Sequence, residues 1–224
     1  MAKYVTLSLA LAGAVLVGFW MAGCSDPEKN LNDPDSNKRA EAVRKLAERQ
    51  DDAVVEKLAK AVEDPNVMVA VTAVESLGNM RNTPAARKAL KKAATEEKRD
   101  PIRQQAVQAL GKQGGKEAME VLRQVIVADP DPRVRGQVPG AMAAQGSLED
   151  IPLLVRVAET EQDPLVQTRA VRAIEAILGM KFRYDPGGSL AERKIALERI
   201  RLQAATIAAN QQAALRARAQ GKGR

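Results

Sequence analysis

Apolar residues along this chain recur in steps of three and four within short segments, and the segments themselves recur at a nearly fixed interval. Leu46, Leu77, Leu110, Met142 and Ile174 stand 31, 33, 32 and 32 positions apart. Four of them close one phrase: Ala42-Val43-x-x-Leu46, Ala73-Val74-x-x-Leu77, Ala106-Val107-x-x-Leu110 and Ala170-Val171-x-x-Ile174. Val138-Pro139-Gly140-Ala141-Met142 is the degraded copy. Val69, Ile102, Val134 and Val166 lie eight positions before their anchors, with Lys38 the exception in the first copy. Positions −8, −4, −3 and 0 fall on one side of an α-helix, so each copy predicts an amphipathic helix that ends near its anchor.

Polar residues punctuate these helices. Asp131-Pro132 and Asp163-Pro164 supply a capping carboxylate and then a proline in the first turn, where the missing N–H costs nothing. Asp100-Pro101 is expected to act the same way one residue later, and Asn66 to cap the second copy. Gly78, Gly111 and Gly114-Gly115 follow the anchors and are expected to end helices in left-handed backbone. A second helix then carries Val54, Val55, Leu58 and Val62, with counterparts Ala86, Leu90 and Ala93, then Met119, Leu122 and Ile126, then Leu153, Leu154 and Val157. Two helices per interval, with no alternation of period two, predict an all-α fold without a sheet: an open solenoid of about five stacked helical hairpins followed by a long C-terminal helix.

Phrases of the form Asp-Pro-x-Val-Arg-x-x-Ala-Val-x-Ala-Leu-Gly resemble HEAT-like repeats of the phycobilisome-lyase type, over roughly Asp33 to Ile177. Tetratricopeptide repeats share the period but need aromatic residues that are missing here. The resemblance implies an αα-superhelix, a HEAT/armadillo-like solenoid with the second helices lining its concave side, and interaction as the usual role.

The first residues have a different pattern. Met1-Ala2-Lys3 is followed by an uncharged run from Tyr4 to Gly23, the outline of a secretory signal. Met21-Ala22-Gly23-Cys24 is similar to a bacterial lipobox, which implies cleavage and acylation of Cys24 with palmitate-type chains. The alternative is a single uncleaved transmembrane helix, since about 20 apolar residues span a bilayer. Either reading expects the body of the protein on the outer side of the cell membrane, or at an outer membrane after sorting, facing the periplasm. The expected organisation is therefore a signal peptide over residues 1–23, a short tether over 24–32, repeats over 33–180, an aromatic capping loop over 181–189 and a C-terminal helix with basic tail over 190–224.

Charge changes the picture only at the C-terminus. From Leu190 onward Arg193, Lys194, Arg199, Arg201, Arg216, Arg218, Lys222 and Arg224 face only Glu192 and Glu198, whereas the body between Cys24 and Ser189 is balanced. Such a tail suits anionic lipid or an anionic envelope polymer, or is simply solvated. Export argues against nucleic acid.

The chain holds no histidine and a single cysteine. No His-dependent triad, His-bearing zinc site or thiolate cluster can be assembled, so no catalytic residue, metal or cofactor is expected. The carboxylate pairs Asp51-Asp52 and Glu96-Glu97 fall in predicted turns and are expected to be solvated. Arg39, Arg103 and Arg135 recur seven positions before their anchors, beside the caps, and are expected to bond a neighbouring repeat's Asp or carbonyls, fixing the stack, rather than a ligand. Lys60, Lys92 and Arg156 recur on the second helices and are the candidates for an acidic partner, although Glu63, Glu120 and Glu159 lie close by. Phe182 and Tyr184 either cover the exposed end of the core or contact a ligand. Pro139 predicts a kink or break after Arg135. Ser189 is expected to cap a helix whose first half packs on the fifth repeat and whose remainder, beyond Ile207, projects.

These readings converge on a membrane-tethered scaffold for an unidentified protein partner. The alternatives are a structural lipoprotein that binds the envelope through its basic C-terminal helix, and an accessory, lyase-like protein that handles a cofactor.

Overall fold

The computed structural model describes residues 26–49, 51–80 and 83–221, with side chains to residue 218. Among the described residues there are only helices and turns: α1 (Ser36–Ala47), α2 (Asp52–Ala61), α3 (Val67–Asn79), α4 (Pro84–Thr95), α5 (Asp100–Gln113), α6 (Gly115–Ala128), α7 (Pro132–Arg135), α8 (Val138–Ala143), α9 (Ile151–Thr160), α10 (Pro164–Leu178) and α11 (Leu190–Gly221). They stack as two layers. First helices α1, α3, α5, α7–α8 and α10 pack in sequence order, and so do second helices α2, α4, α6, α9 and α11. All five anchors are fully buried in one continuous core. Each hairpin therefore hides its apolar stripe against its sequence neighbours, as a solenoid requires.

The caps act largely as their residue types dictate. Asp35, Asp51, Asn66, Asp131 and Asp163 each accept at least one N–H of the helix they precede. Asp100 departs from expectation. It is the first residue of α5 and not its cap, and it spends its carboxylate on Gln104 (3.2 Å) and Arg133 (2.8 Å).

Glycine roles split in a way the sequence did not announce. Gly114 and Gly115 have φ of 63° and 84°, the left-handed backbone expected of a turn. Gly78 and Gly111, also expected as helix ends, lie inside α3 and α5. Their purpose is close approach. A Cβ added at Gly78 would fall 2.7 Å from Ala109 Cβ, and one at Gly111 only 2.6 Å from Ala141 Cβ.

Three arginines repeat one geometry. Arg39 forks onto Asp64 (2.7 and 3.0 Å), Arg103 onto Asp129 (2.8 and 3.2 Å), and Arg135 onto Glu161 (2.7 and 2.8 Å). In each case Nη1 also donates to two carbonyls of the turn before its own helix. Each guanidinium thus ties the start of the first helix to the end of the second, which is the structural role expected of it. Repeat two has Ala70 at this register, and Arg99 substitutes from the following turn, donating to Val62 O, Asp64 O and Glu97. Glu97 is therefore not the solvated turn carboxylate expected: hydrogen bonding by Arg99 lowers its pKa to about 2.

The first helix of repeat four is broken where Pro139 demands it. α7 ends at Arg135, Gln137 N–H reaches back three residues to Val134 O (3.0 Å), and α8 restarts at Val138. The break leaves Pro139 in the first turn of α8, where its missing N–H would have had no intrahelical acceptor. Arg169 of α10 donates to Gly136 O (3.0 Å) at the discontinuity.

Two ends differ from expectation. Residues 26–32, within the short tether expected over 24–32, contain a 3-10 turn (Lys29–Asn32) whose Leu31 packs on the core. Glu28 there pairs with Arg49 (3.1 Å) and Lys57 (2.5 Å). At the other end the first half of α11, expected on repeat five, packs chiefly on α9, the second helix of repeat four. Leu197 and Ile200 are buried in that contact, and Arg201 pairs with Glu159 (2.8 Å). Residues 209–218 are exposed along the rest of the helix. The expected signal segment, Cys24 and Lys222–Arg224 lie outside the described residues.

Candidate functional site

Three concavities adjoin along the ends of the second helices of repeats one to three. The first, about 460 Å³, lies between the N-terminal turn and α2 and includes Leu31, Lys57, Lys60 and Glu63. The second, about 490 Å³, lies between α2 and α4 and shares Lys60 and Glu63 with it. The third, about 380 Å³, shares Glu96, Glu97 and Lys98 with the second and reaches Val125 and Ala128 on α6. Ala59, Val62, Ala89 and Ala93 supply small apolar surface in the middle one, with charged residues around them. Small side chains at the helix ends are what leave the row open, since longer ones would fill the space between neighbouring repeats.

Of the residues expected to bind a partner, the structure brings Lys60 and Lys92 to the same concavity. They differ in commitment. Lys92 pairs with Glu63 of the previous repeat (3.0 Å), and that hydrogen bond raises its pKa. Lys60 is exposed and has no ion-pair partner among the described residues. Arg156 is exposed on α9 and lines none of the three concavities, so the expected basic row does not reach it.

Phe182 and Tyr184 are half-buried against the core at the C-terminal end. The Tyr184 hydroxyl lies within donating distance of Ala158 O (3.0 Å) and Gln167 Oε1 (3.2 Å), and burial raises its pKa. Both aromatics pack against the core, and Tyr184 also lines a concavity of about 370 Å³ with Arg183, Asp185 and, from α11, Glu192, Ile195, Ala196 and Arg199.

Sequence reasoning missed Lys98, which stands between the second and third concavities without an ion-pair partner among the described residues. It lies in the turn between repeats, outside the helical register that picked out Lys60 and Lys92, so periodicity could not have found it. It also missed the joints made by Gln113 and Gln145. Gln113 donates to Leu77 O (2.9 Å) and Met80 O (3.3 Å), and Gln145 to Gly111 O (3.0 Å), each satisfying a carbonyl at the end of the preceding first helix. Their common place, three residues after an anchor, was a readable signal. Among the described residues no group of three His, Cys, Asp or Glu side chains could hold a metal ion, and no helix is long and apolar enough to cross a membrane.

Comparison with known proteins agrees with this architecture. The family described as HEAT repeats matches residues 28–111 and 98–175. Among solved structures, the complex of CpcE and CpcF of phycocyanin lyase from Nostoc sp. PCC7120 is similar at 21% identity, with 85% of this chain and 79% of that chain covered and a TM-score of 0.52. An engineered protein is 25% identical, covering 69% and 80% at a TM-score of 0.45. A designed armadillo repeat protein is 20% identical, covering 70% and 84% at a TM-score of 0.45. No curated protein matches the chain.

Proposed function

The chain belongs to the HEAT-repeat family, and from that premise we propose that it is a non-catalytic scaffold that holds a partner protein along the second-helix groove outside the cytoplasm. The observation that carries this reading is the row of concavities across three successive repeats, open to solvent along its length and without an enclosed pocket at its centre. A groove of that form suits an extended segment, and the uncommitted Lys60 and Lys98 favour acidic side chains on it. The catalytic inventory supports the same reading, because a chain without histidine and with one cysteine has few groups that titrate near neutral pH.

Membrane attachment through Cys24 is part of the proposal. Its support is the lipobox-like Met21-Ala22-Gly23-Cys24 after an uncharged run. If Cys24 carries the lipid, Asp26, where the folded N-terminal turn begins, lies no more than about 7 Å of chain from the anchor. The likeness to phycocyanin lyase is one of fold and lends no lyase chemistry to the reading.

A photo-crosslinking residue at position 60 or 98, in the full chain in native membranes, is expected to capture one and the same protein. The exposed Gln108 position on α5 is expected not to. Equal capture at all three positions would discard the groove. Separately, Cys24→Ser is expected to release the protein from the membrane fraction, and continued retention would discard the lipid anchor.

A second reading rests on α11. Residues 209–218 are exposed and no acidic residue follows Glu198, so this arm could hold an anionic envelope polymer or lipid. Salt-sensitive binding lost on truncation after Ile207 would favour it over the groove.

A further inference from the structure

In the second-helix layer α4, α6 and α9 each have a helix on both sides, whereas among the described residues α11 has α9 alone. Leu197 and Ile200 are buried in that contact, but Ile195 and Leu202 are 55% and 63% exposed. Seven residues separate these two, so they stand one above the other on the side of α11 turned away from α9. Arg199 lies between them, and the exposed Ala205 and Ala209 continue the same face. The helix thus has a second apolar stripe without a partner.

This face is concave at its upper end. The 183–185 segment runs beside Ile195 and Arg199 and forms with them the hollow of about 370 Å³. The acids around it are already engaged. Glu192 Oε2 accepts the Ser189 N–H (2.9 Å) and hydroxyl (2.7 Å), Asp185 Oδ1 accepts the Gly187 N–H (2.8 Å), and Glu198 pairs with Arg201 (3.3 Å). Arg183, Lys194 and Arg199 have no ion-pair partner among the described residues.

We propose that this face of α11 docks an acidic amphipathic helix of a partner protein, laid beside α11 with its apolar side chains on Ile195 and Leu202 and its carboxylates on Arg183, Lys194 and Arg199. The occupant is a helix because the anchors repeat at helical spacing and the alanines beyond them let another backbone approach. It is acidic because the three groups without a partner are cations. A second copy would bring two identical sets of cations together. A bilayer is met by a convex face with large apolar and aromatic side chains, and here the 183–185 segment stands beside Ile195 and the stripe has no aromatic residue. This inference stands apart from what binds the second-helix groove.

The test uses the full chain in phosphatidylcholine nanodiscs and two fluorescent helical peptides that share one leucine stripe, flanked by glutamate in one and by lysine in the other. Anisotropy is expected to show the acidic peptide binding at least about tenfold more tightly than the basic one. Arg199→Glu is expected to erase or reverse that preference, Ile195→Asp to weaken the acidic peptide at least about tenfold, and Gln108→Glu on α5 to change neither. Ile195 and Arg199 are exposed, so circular dichroism is expected to be unchanged in both variants. Equal binding of the two peptides, or binding of neither, overturns the proposal. Loss on Lys60→Glu in place of Arg199→Glu also overturns it and leaves the second-helix groove standing. Protection of residues 192–205 from amide exchange in phosphatidylglycerol nanodiscs, with neither peptide bound, gives the face to a membrane. A dimer that Ile195→Asp dissociates gives it to a second copy.

Discussion

Repeats three and four share a register but not a helix. In repeat three, α5 runs unbroken through Ile102, Arg103 and Leu110. In repeat four the equivalent helix is split into α7 and α8 around Gly136 and Gln137. Even so, Val134 and Met142 are as fully buried as Ile102 and Leu110, and Arg135 makes the fork that Arg103 makes. Helix continuity is therefore not what sets the repeat. The set of buried side chains and the arginine fork hold the register, and the backbone between them can lose a turn if another group bonds the freed carbonyls, as Arg169 does at Gly136 O.

Removing the fork should break this equivalence most. Arg103 and Asp129 are both buried, so Arg103→Ala leaves a carboxylate without its cation and is expected to cost about 3–5 kcal/mol in denaturant unfolding. Arg135→Ala should follow with a comparable loss. A much smaller effect in repeat four would mean that the split helix no longer depends on the fork.

The glycines sharpen the contrast. Gly111→Ala drives a methyl into Ala141 and is expected to destabilise by about 1–3 kcal/mol. Gly140→Ala, one repeat on, meets nothing within 4 Å and should stabilise by about 0.5–1 kcal/mol through helix propensity. Thermal unfolding of the two variants should shift in opposite directions.

Acid tests the turn that leads into repeat three. Glu97 has a pKa of about 2 against its usual 4.5, because Arg99 bonds its ionised form. A depressed carboxyl stabilises the fold fully above its unfolded value, and the contribution falls away as pH drops from about 4.5 towards 2. Its size, discounted for partial exposure, is on the order of 1–2 kcal/mol. Glu97→Gln should lower stability at pH 7 and flatten that acid limb, and an unaltered limb would assign the acid sensitivity to other carboxylates.

The smallest effect is expected from Pro139→Ala. Since Pro139 already lies in the first turn of α8, restoring its N–H should change stability by less than about 1 kcal/mol. Helicity by circular dichroism should rise only if α7 and α8 fuse.

What the sequence determined by itself was everything that depends on neighbours within a few residues or on the fixed interval. The 3.6-residue period selects the buried stripe, Asp and Asn caps bond N–H groups two or three residues on, Pro139 removes a donor, and the spacing of the anchors dictates stacked hairpins. The tertiary structure alone decided what depends on the distance between repeats. Gly78 and Gly111 resemble turn glycines until the next helix is seen to approach within a Cβ of them. Glu97 looks solvated until Arg99 folds onto it, α11 looks like an appendage of repeat five until it packs on α9, and Lys92 looks available until Glu63 claims it. Local hydrogen bonds and periodicity are written into consecutive residues, whereas interhelical separation emerges only when every side chain between two helices has been fitted at once.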